Sequence, residues 1–198
     1  MSTLDDIIGN IQANLPAHKV DYPNIPTFEK EGQDLVATFT RRVGNAGGTI
    51  FQVNSIAEAQ AIAQDKYATA KVICSATDEW QGNKPIDPHT DPRTMEDVDI
   101  AIVRSDLGIA EMGMVWLTEQ RLKVISLAFL CQHIIVLLEP KKITANMHTA
   151  YRQVRLDIDN YGCFVMGPSA TADIGAVLIH GAQGPRSLTV FLVEEVNG

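Results

Sequence analysis

Ile134-Ile135-Val136-Leu137-Leu138-Glu139-Pro140 is the stretch on which the fold turns. It is an apolar run with no polar alternation, which reads as a central strand of a parallel sheet, covered on both faces. Pro140 closes it, because proline cannot continue a ladder. Upstream, Thr49 to Val53, Lys71 to Ser75, Val98 to Val103 and Met114 to Thr118 read as further strands. Helices separate the first of these. Gln33 to Val43 places Leu35, Val36 and Phe39 on one face and is stopped by Gly44, Gly47 and Gly48. Ser55 caps a second helix that runs to about Tyr67, with Glu58 completing a capping box. Downstream, Ile143 to Leu156 has amphipathic helical spacing with Thr144 as its cap. Tyr161 to Met166, Ala176 to His180 and Leu188 to Val193 read as the last three strands. Strands alternating with helices predict an α/β fold: a three-layer, Rossmann-like domain with a largely parallel sheet.

The chain has 198 residues, a length suited to one domain with an arm. The boundaries fall at 1–30, an N-terminal helix and proline-rich arm, and 31–198, the α/β domain. In the arm, Leu4, Ile7, Ile8 and Ile11 line one helix face. Ser2 or Thr3 caps that helix, Asp5 and Asp6 suit its first turn, and Pro16 ends it. Pro23 and Pro26 keep the next residues from forming a helix, and the arm is free to pack on the body or on a second subunit. A homo-oligomer is therefore one arrangement the arm allows.

The formal net charge is −8, from 16 Lys and Arg against 24 Asp and Glu, so no nucleic-acid partner is expected. No apolar run is long enough for a membrane span. The opening residues lack the basic start of a secretory signal. The three cysteines, Cys74, Cys131 and Cys163, are scattered and form no CxxC pair. A structural zinc site or an iron–sulfur cluster held by this chain is not expected, and a cytoplasmic location fits. Thr77 to Asp97 is a polar, proline-rich loop of a length that often serves as a lid or binding loop. Its Asp87, His89 and Asp91 have the ligand types of a metal site, but no fourth ligand stands at a usual spacing, and a solvated loop accounts for them.

Open α/β sheets hold ligands outside the carboxyl ends of their strands, so segments that follow strands carry the most weight. Three stand out. Gly167-Pro168-Ser169-Ala170-Thr171-Ala172-Asp173-Ile174 forces a turn after a strand and offers two hydroxyls and a carboxylate. These groups either cap local structure or hold a ligand's hydroxyl or phosphate beside backbone N–H groups. Gly181-Ala182-Gln183-Gly184-Pro185-Arg186 is either a plain turn with a surface arginine or a tight approach to a ligand with Arg186 as an anion clamp. Ser105 to Gly113 holds Glu111, either a solvated edge residue or an acid, base or nucleophile with a raised pKa. His180 ends an apolar strand and is read first as a half-buried strand-end residue. No flavin or nicotinamide fingerprint is present, since the glycines at 44, 47 and 48 follow a helix and precede a strand.

The tail GPSATADIGAVLIHGAQGPRSLTVFLVEE resembles the closing signature of the lactate utilisation protein C family, also called the LUD domain. That signature runs Gly-Pro-Ser-x-Thr-Ala-Asp-Ile-Glu, then a strand, then Gly-x-His-Gly-Pro. Val98 to Leu117 is similar to the block that precedes it, and the likeness covers roughly Gln33 to Glu195. The resemblance implies a fold related to the NagB/RpiA sugar-phosphate isomerases and CoA-transferases. It also implies an accessory, cluster-free component of L-lactate oxidation to pyruvate, partnered by separate iron–sulfur proteins. The family pattern names no reaction and no cofactor for the chain itself. The alternative it implies is a stand-alone enzyme or binding module acting on a phosphorylated or CoA-linked small molecule, with Glu111 catalytic. Carried onto this sequence, the ligand residues are Ser169, Thr171, Asp173, Gln183, Gly184 and Arg186, for a small anionic ligand. Three departures stand out: Gly175 replaces the family's glutamate, Gln183 its histidine, and Met112 and Met114 its hydroxyl residues. Glutamine hydrogen-bonds but does not shuttle protons near neutral pH, so binding carries over better than catalysis.

Overall fold

A computed structural model describes residues 3–16, 21–29, 31–173 and 175–194. Ser2 as an alternative helix cap, Ile174 within the tail motif and Glu195 at its end lie outside the described residues.

Five strands make the central sheet: β1 (Thr49–Gln52), β2 (Ile73–Ser75), β3 (Ile100–Ser105), β6 (His133–Leu138) and β11 (Ser187–Leu192). Their order is β1-β11-β6-β3-β2, and every neighbouring pair is parallel. The apolar run from Ile134 to Leu138 lies in the middle strand, with Val136 between Val103 and Val190. Its residues are buried because helices and a second sheet cover both faces. On one face Ile100, Ile102, Ile135, Leu137 and Phe191 pack under Ile56, Ala59 and Ala63 of α3 (Ile56–Lys66), with Trp80 beside them. On the other, Ala101, Val103, Val136 and Leu138 meet Phe39 and Val43 of α2 (Leu35–Asn45) together with Val115 and Leu117.

Val115 and Leu117 belong to a second, four-stranded sheet of order β7-β4-β5-β8. It is built from β4 (Leu107–Ile109), β5 (Met114–Thr118), β7 (Ile143–Thr144) and β8 (Gly162–Val165). A two-residue hairpin, β9 (Ala170–Thr171) and β10 (Ile179–His180), completes the strands. The remaining helices are α1 (Thr3–Ala13) and the short α4 (Glu119–Leu122), α5 (Leu127–Leu130), α6 (Met147–Tyr151) and α7 (Leu156–Asp159).

Local caps follow the sequence closely. Asp34 Oδ1 accepts from Ala37 N–H (2.9 Å) and starts α2. Ser55 Oγ accepts from Glu58 N–H (3.2 Å) and starts α3. Glu58 bonds Asn54 N–H rather than that of Ser55, so the capping box is displaced by one residue. Each such cap is worth about 1 kcal/mol.

The expected helix over Ile143 to Leu156 is corrected. Ile143 and Thr144 pair parallel with Gly108 and Ile109, and the helix begins only at Met147. Asn146, not Thr144, is the cap: its side chain accepts from Thr149 N–H (3.1 Å). The expected strand over Ala176 to His180 is also corrected. Only Ile179 and His180 pair, while Ala176 has φ 57° and Val177 and Leu178 are exposed. Tyr161 to Met166 does form a strand, but it joins the second sheet antiparallel to β5. The polar segment 77–97 is pinned to the edge of the sheet. Asn83 Oδ1 accepts from Ile73 N–H (2.8 Å), its Nδ2 donates to Lys71 C=O (2.6 Å), and Trp80 and Met95 are buried.

In the arm, α1 buries none of its residues. The arm meets the body at Thr27, whose carbonyl accepts from Asn146 Nδ2 (2.6 Å), and at Phe28, whose ring lies 5.0 Å from that of His148.

Candidate functional site

The loop motifs meet because glycines let backbone segments touch. Beyond the β5–β8 ladder, Gly113 presses on the last turn of α2 and Gly167 on the turn between α2 and β1. A Cβ on Gly113 would lie 2.5 Å from Val43 N, and one on Gly167 would lie 2.1 Å from Ala46 O. Gly167 also has φ +64°, a conformation open to glycine at no steric cost. The Pro168 ring is buried against Gly47. Ser169 N–H then donates to Pro185 C=O, and Gly181 N–H donates to Ser169 C=O, each at 2.9 Å. Gly184 leaves room for the Ser169 side chain, which a Cβ there would approach to 2.9 Å. Ser169, Gly184 and Arg186 are thus brought together. Thr171 and Asp173 lie farther along the β9–β10 hairpin, where Thr171 Oγ1 accepts from Asp173 N–H (3.3 Å). Asp173, Gln183 and His180 are exposed. Glu111 is exposed at the start of α6, and its Oε2 accepts from Met147 N–H (3.3 Å).

This cluster lies on a different end of the sheet from the one expected, the carboxyl ends of the parallel strands. The GPSATAD segment follows β8, which is outside the parallel sheet, and it packs at the amino ends of β1 and β11. The carboxyl ends are filled by charges that satisfy one another. Arg104 is buried and donates two hydrogen bonds to Glu79. Glu139 is buried between Lys141 (2.5 Å) and Lys142 (2.9 Å), while Asp106 takes Lys142 (3.0 Å) and Arg121 (2.5 Å). Burial pushes the Asp106 carboxyl up, but the Arg121 and Lys142 contacts outweigh it and hold it below the usual range. Arg104 Nη1 is buried with no hydrogen-bond partner.

At the amino ends, Arg186 lines a cavity of about 610 Å³ with Lys66, Tyr67, Asp99, His133 and Ser187. Sheet register builds it, since Ser187 pairs with His133, and His133 with Ile100. His133 Nδ1 is 2.8 Å from Ser187 Oγ, and the Tyr67 hydroxyl is 3.0 Å from that oxygen and 2.8 Å from Thr189 Oγ1. The Tyr67 ring lies over the imidazole at 4.7 Å. Burial lowers the His133 pKa, and the charges of Arg186 and Lys66 lower it further against the pull of Asp99. The Asp99 carboxylate accepts from Lys71 N–H (2.7 Å) and Val72 N–H (2.9 Å), which hold it below its ordinary pKa. Sequence reasoning does not single out Tyr67, His133 or Ser187. The signal it had was a polar residue opening each of two otherwise apolar strands.

Among the described residues no three His, Cys, Asp or Glu side chains are placed to hold a metal ion. Asp87, His89 and Asp91 serve the loop itself: Asp87 Oδ1 accepts from His89 N–H, and Asp91 caps a 3-10 turn. Cys74 and Cys131 are buried, and burial pushes the Cys131 thiol up to about 12. Among the described residues no helix is long and apolar enough to cross a membrane.

The parallel sheet, its helical cover and the loops gathered at its amino ends define a Rossmann-like three-layer α/β protein. The chain belongs to the LUD domain family, whose sequence model matches residues 56–193. It is 31% identical over 105 residues to "Lactate utilization protein C" of Oceanobacillus iheyensis, a match spanning 50% of this chain and 45% of that protein. It is likewise 31% identical over 106 residues to "Lactate utilization protein C" of Shouchella clausii, spanning 50% and 46%. The matched stretch is thus about half the length of each curated relative. A crystal structure of a DUF162 family protein from Deinococcus radiodurans superposes with TM-score 0.61 at 16% identity. That superposition covers 81% of this chain and 97% of the other.

Proposed function

We propose that this chain serves in lactate utilisation as an accessory component that holds no iron–sulfur cluster. In this reading it binds a small anionic ligand where the Gly167–Asp173 and Gly181–Arg186 loops meet. The observation that carries the role is the pair of relatives named lactate utilization protein C within a shared family. Its partners are separate iron–sulfur proteins of lactate oxidation. The cysteines fit this reading, because three scattered residues with no CxxC pair fall short of the four thiolates a cluster takes. Glu111 supports the first turn of α6 beside its cap Asn146 in this reading and does not act as a nucleophile.

The test is a tagged pull-down from the native host grown on lactate, with mass spectrometry. Two iron–sulfur proteins recovered in comparable amounts are the expected result. Recovery of the chain alone, with unimpaired growth on lactate after deletion of its gene, would overturn the proposal. Turnover of a phosphorylated or CoA-linked substrate that is lost in Glu111→Ala would replace it with the stand-alone enzyme.

A further inference from the structure

We infer that the cavity at the amino ends of β3, β6 and β11 is a binding site for a small monocarboxylate. The carboxylate is held between Arg186 and Lys66, and its other oxygen-bearing groups face the His133–Ser187–Tyr67 chain. For the ligand's charge, this inference rests on the proposed role of Arg186 as an anion clamp. For its place and its other residues, it goes beyond that role.

The geometry supplies the argument. The Arg186 guanidinium makes no hydrogen bond or ion pair among the described residues, and Lys66 Nζ forms no ion pair there, reaching Thr49 Oγ1 at 3.4 Å and lying 5.7 Å from the Tyr67 ring centroid. In a chain of net charge −8, two cations facing one cavity are an uncompensated positive site. The third charge there, Asp99, is already occupied by two backbone N–H groups. The balance is one positive charge, which matches a monoanion better than a dianion. The negative end of α3 also approaches the cavity through Tyr67, and Lys66 in the last turn offsets it. Arg186 is held in place: its Cγ would lie 2.4 Å from a Cβ on Gly181, so the stem runs against bare glycine backbone. Ser187 Oγ has neighbours on two sides, His133 and Tyr67, which fixes its hydroxyl for a ligand oxygen. Neutral His133, faced by Arg186, Lys66 and Asp99, has its Nδ1 against Ser187.

The experiment is a titration of the full chain with L-lactate, pyruvate and inorganic phosphate in turn, read on the His133 ring signals by NMR. Expected is saturable movement of those signals by L-lactate or pyruvate in the range of about 0.1–10 mM. Binding should weaken at least tenfold in both Arg186→Met and Lys66→Met, and stay unchanged in Arg152→Met, an exposed arginine outside the cavity. Both cavity cations are exposed, and methionine keeps the packing of their stems, so the variants retain the fold. Three results would overturn the proposal: no movement with either carboxylate, tighter binding of phosphate than of both, or equal loss in Arg152→Met. A failed pull-down with this binding intact would remove the lactate-oxidation role and leave the site. Partners recovered without binding would do the reverse.

Discussion

Replacing Gly167 by alanine tests whether the first glycine of the tail motif is there for packing. Two costs add. A residue with a Cβ at φ +64° pays roughly 1–2 kcal/mol for the left-handed conformation. The new methyl would also lie 2.1 Å from Ala46 O, well inside ordinary contact. That oxygen cannot retreat cheaply. Its turn is pinned by Ala46 N–H on Arg42 C=O, Gly47 N–H on Gly44 C=O and Gly48 N–H on Val43 C=O, each 3.0 Å. Overpacking of this kind costs about 1–3 kcal/mol. The sum is about 2–5 kcal/mol, or a Tm loss of about 4–20 °C for a domain of this size. Gly175→Ala is the control. It has φ +67° but nothing within 4 Å of the added carbon, so it pays the conformational cost alone. Urea unfolding of both variants, followed by circular dichroism, gives the difference directly. Losses that agree within about 0.5 kcal/mol would refute the packing argument and leave the motif's glycine to be explained by its ligand.

Breaking the buried pair with Arg104→Met is expected to cost about 3–5 kcal/mol in urea unfolding, because Glu79 is left facing a hydrophobe. The double variant with Glu79→Leu should recover most of that, and an equally unstable double variant would count against the pairing. Asn146→Ala removes the cap of α6 and the hold on Thr27, for about 1–2 kcal/mol. Proteolysis within residues 21–29 should accelerate, and an unchanged cleavage rate would separate the arm from the cap. His133 has a folded pKa below its unfolded value, so the unfolded state binds the extra proton first. Stability is then full above about pH 6.5 and falls as pH drops through the folded pKa. His133→Gln should flatten that limb in urea titrations at successive pH values, and an unaltered slope would place the acid sensitivity elsewhere.

Several elements were legible because their pattern is local. β6 and β11 are apolar runs, α2 shows itself through the spacing of Leu35, Val36 and Phe39, and α3 through its cap Ser55. Other elements were decided by partners far along the chain. Ile143, Met147, Ala150 and Val154 do recur at helical spacing, yet pairing with Gly108 claims Ile143 for a ladder. Asn146 then caps the shortened helix. β8 reads as a strand from its residues, but nothing within it says that β5 is its neighbour. The same holds for the candidate site. Ser169, Gly184 and Arg186 could be named from the tail, while Tyr67, His133 and Ser187 gain meaning only when the register of β11 on β6 sets Ser187 beside His133 and the end of α3 lays Tyr67 over them.

The sequence by itself determined the α/β class, the central strand, the start of α3 and the family. Hydrophobic period, caps and a linear motif are properties of neighbouring residues and need no third dimension. Only the tertiary structure decided which end of the sheet gathers the loops, and that the carboxyl-end charges neutralise one another while Arg186 and Lys66 are left facing a cavity. Those outcomes depend on pairing and close approach between segments tens of residues apart, and a glycine too tight for a Cβ shows its reason only once the opposing carbonyl is in place.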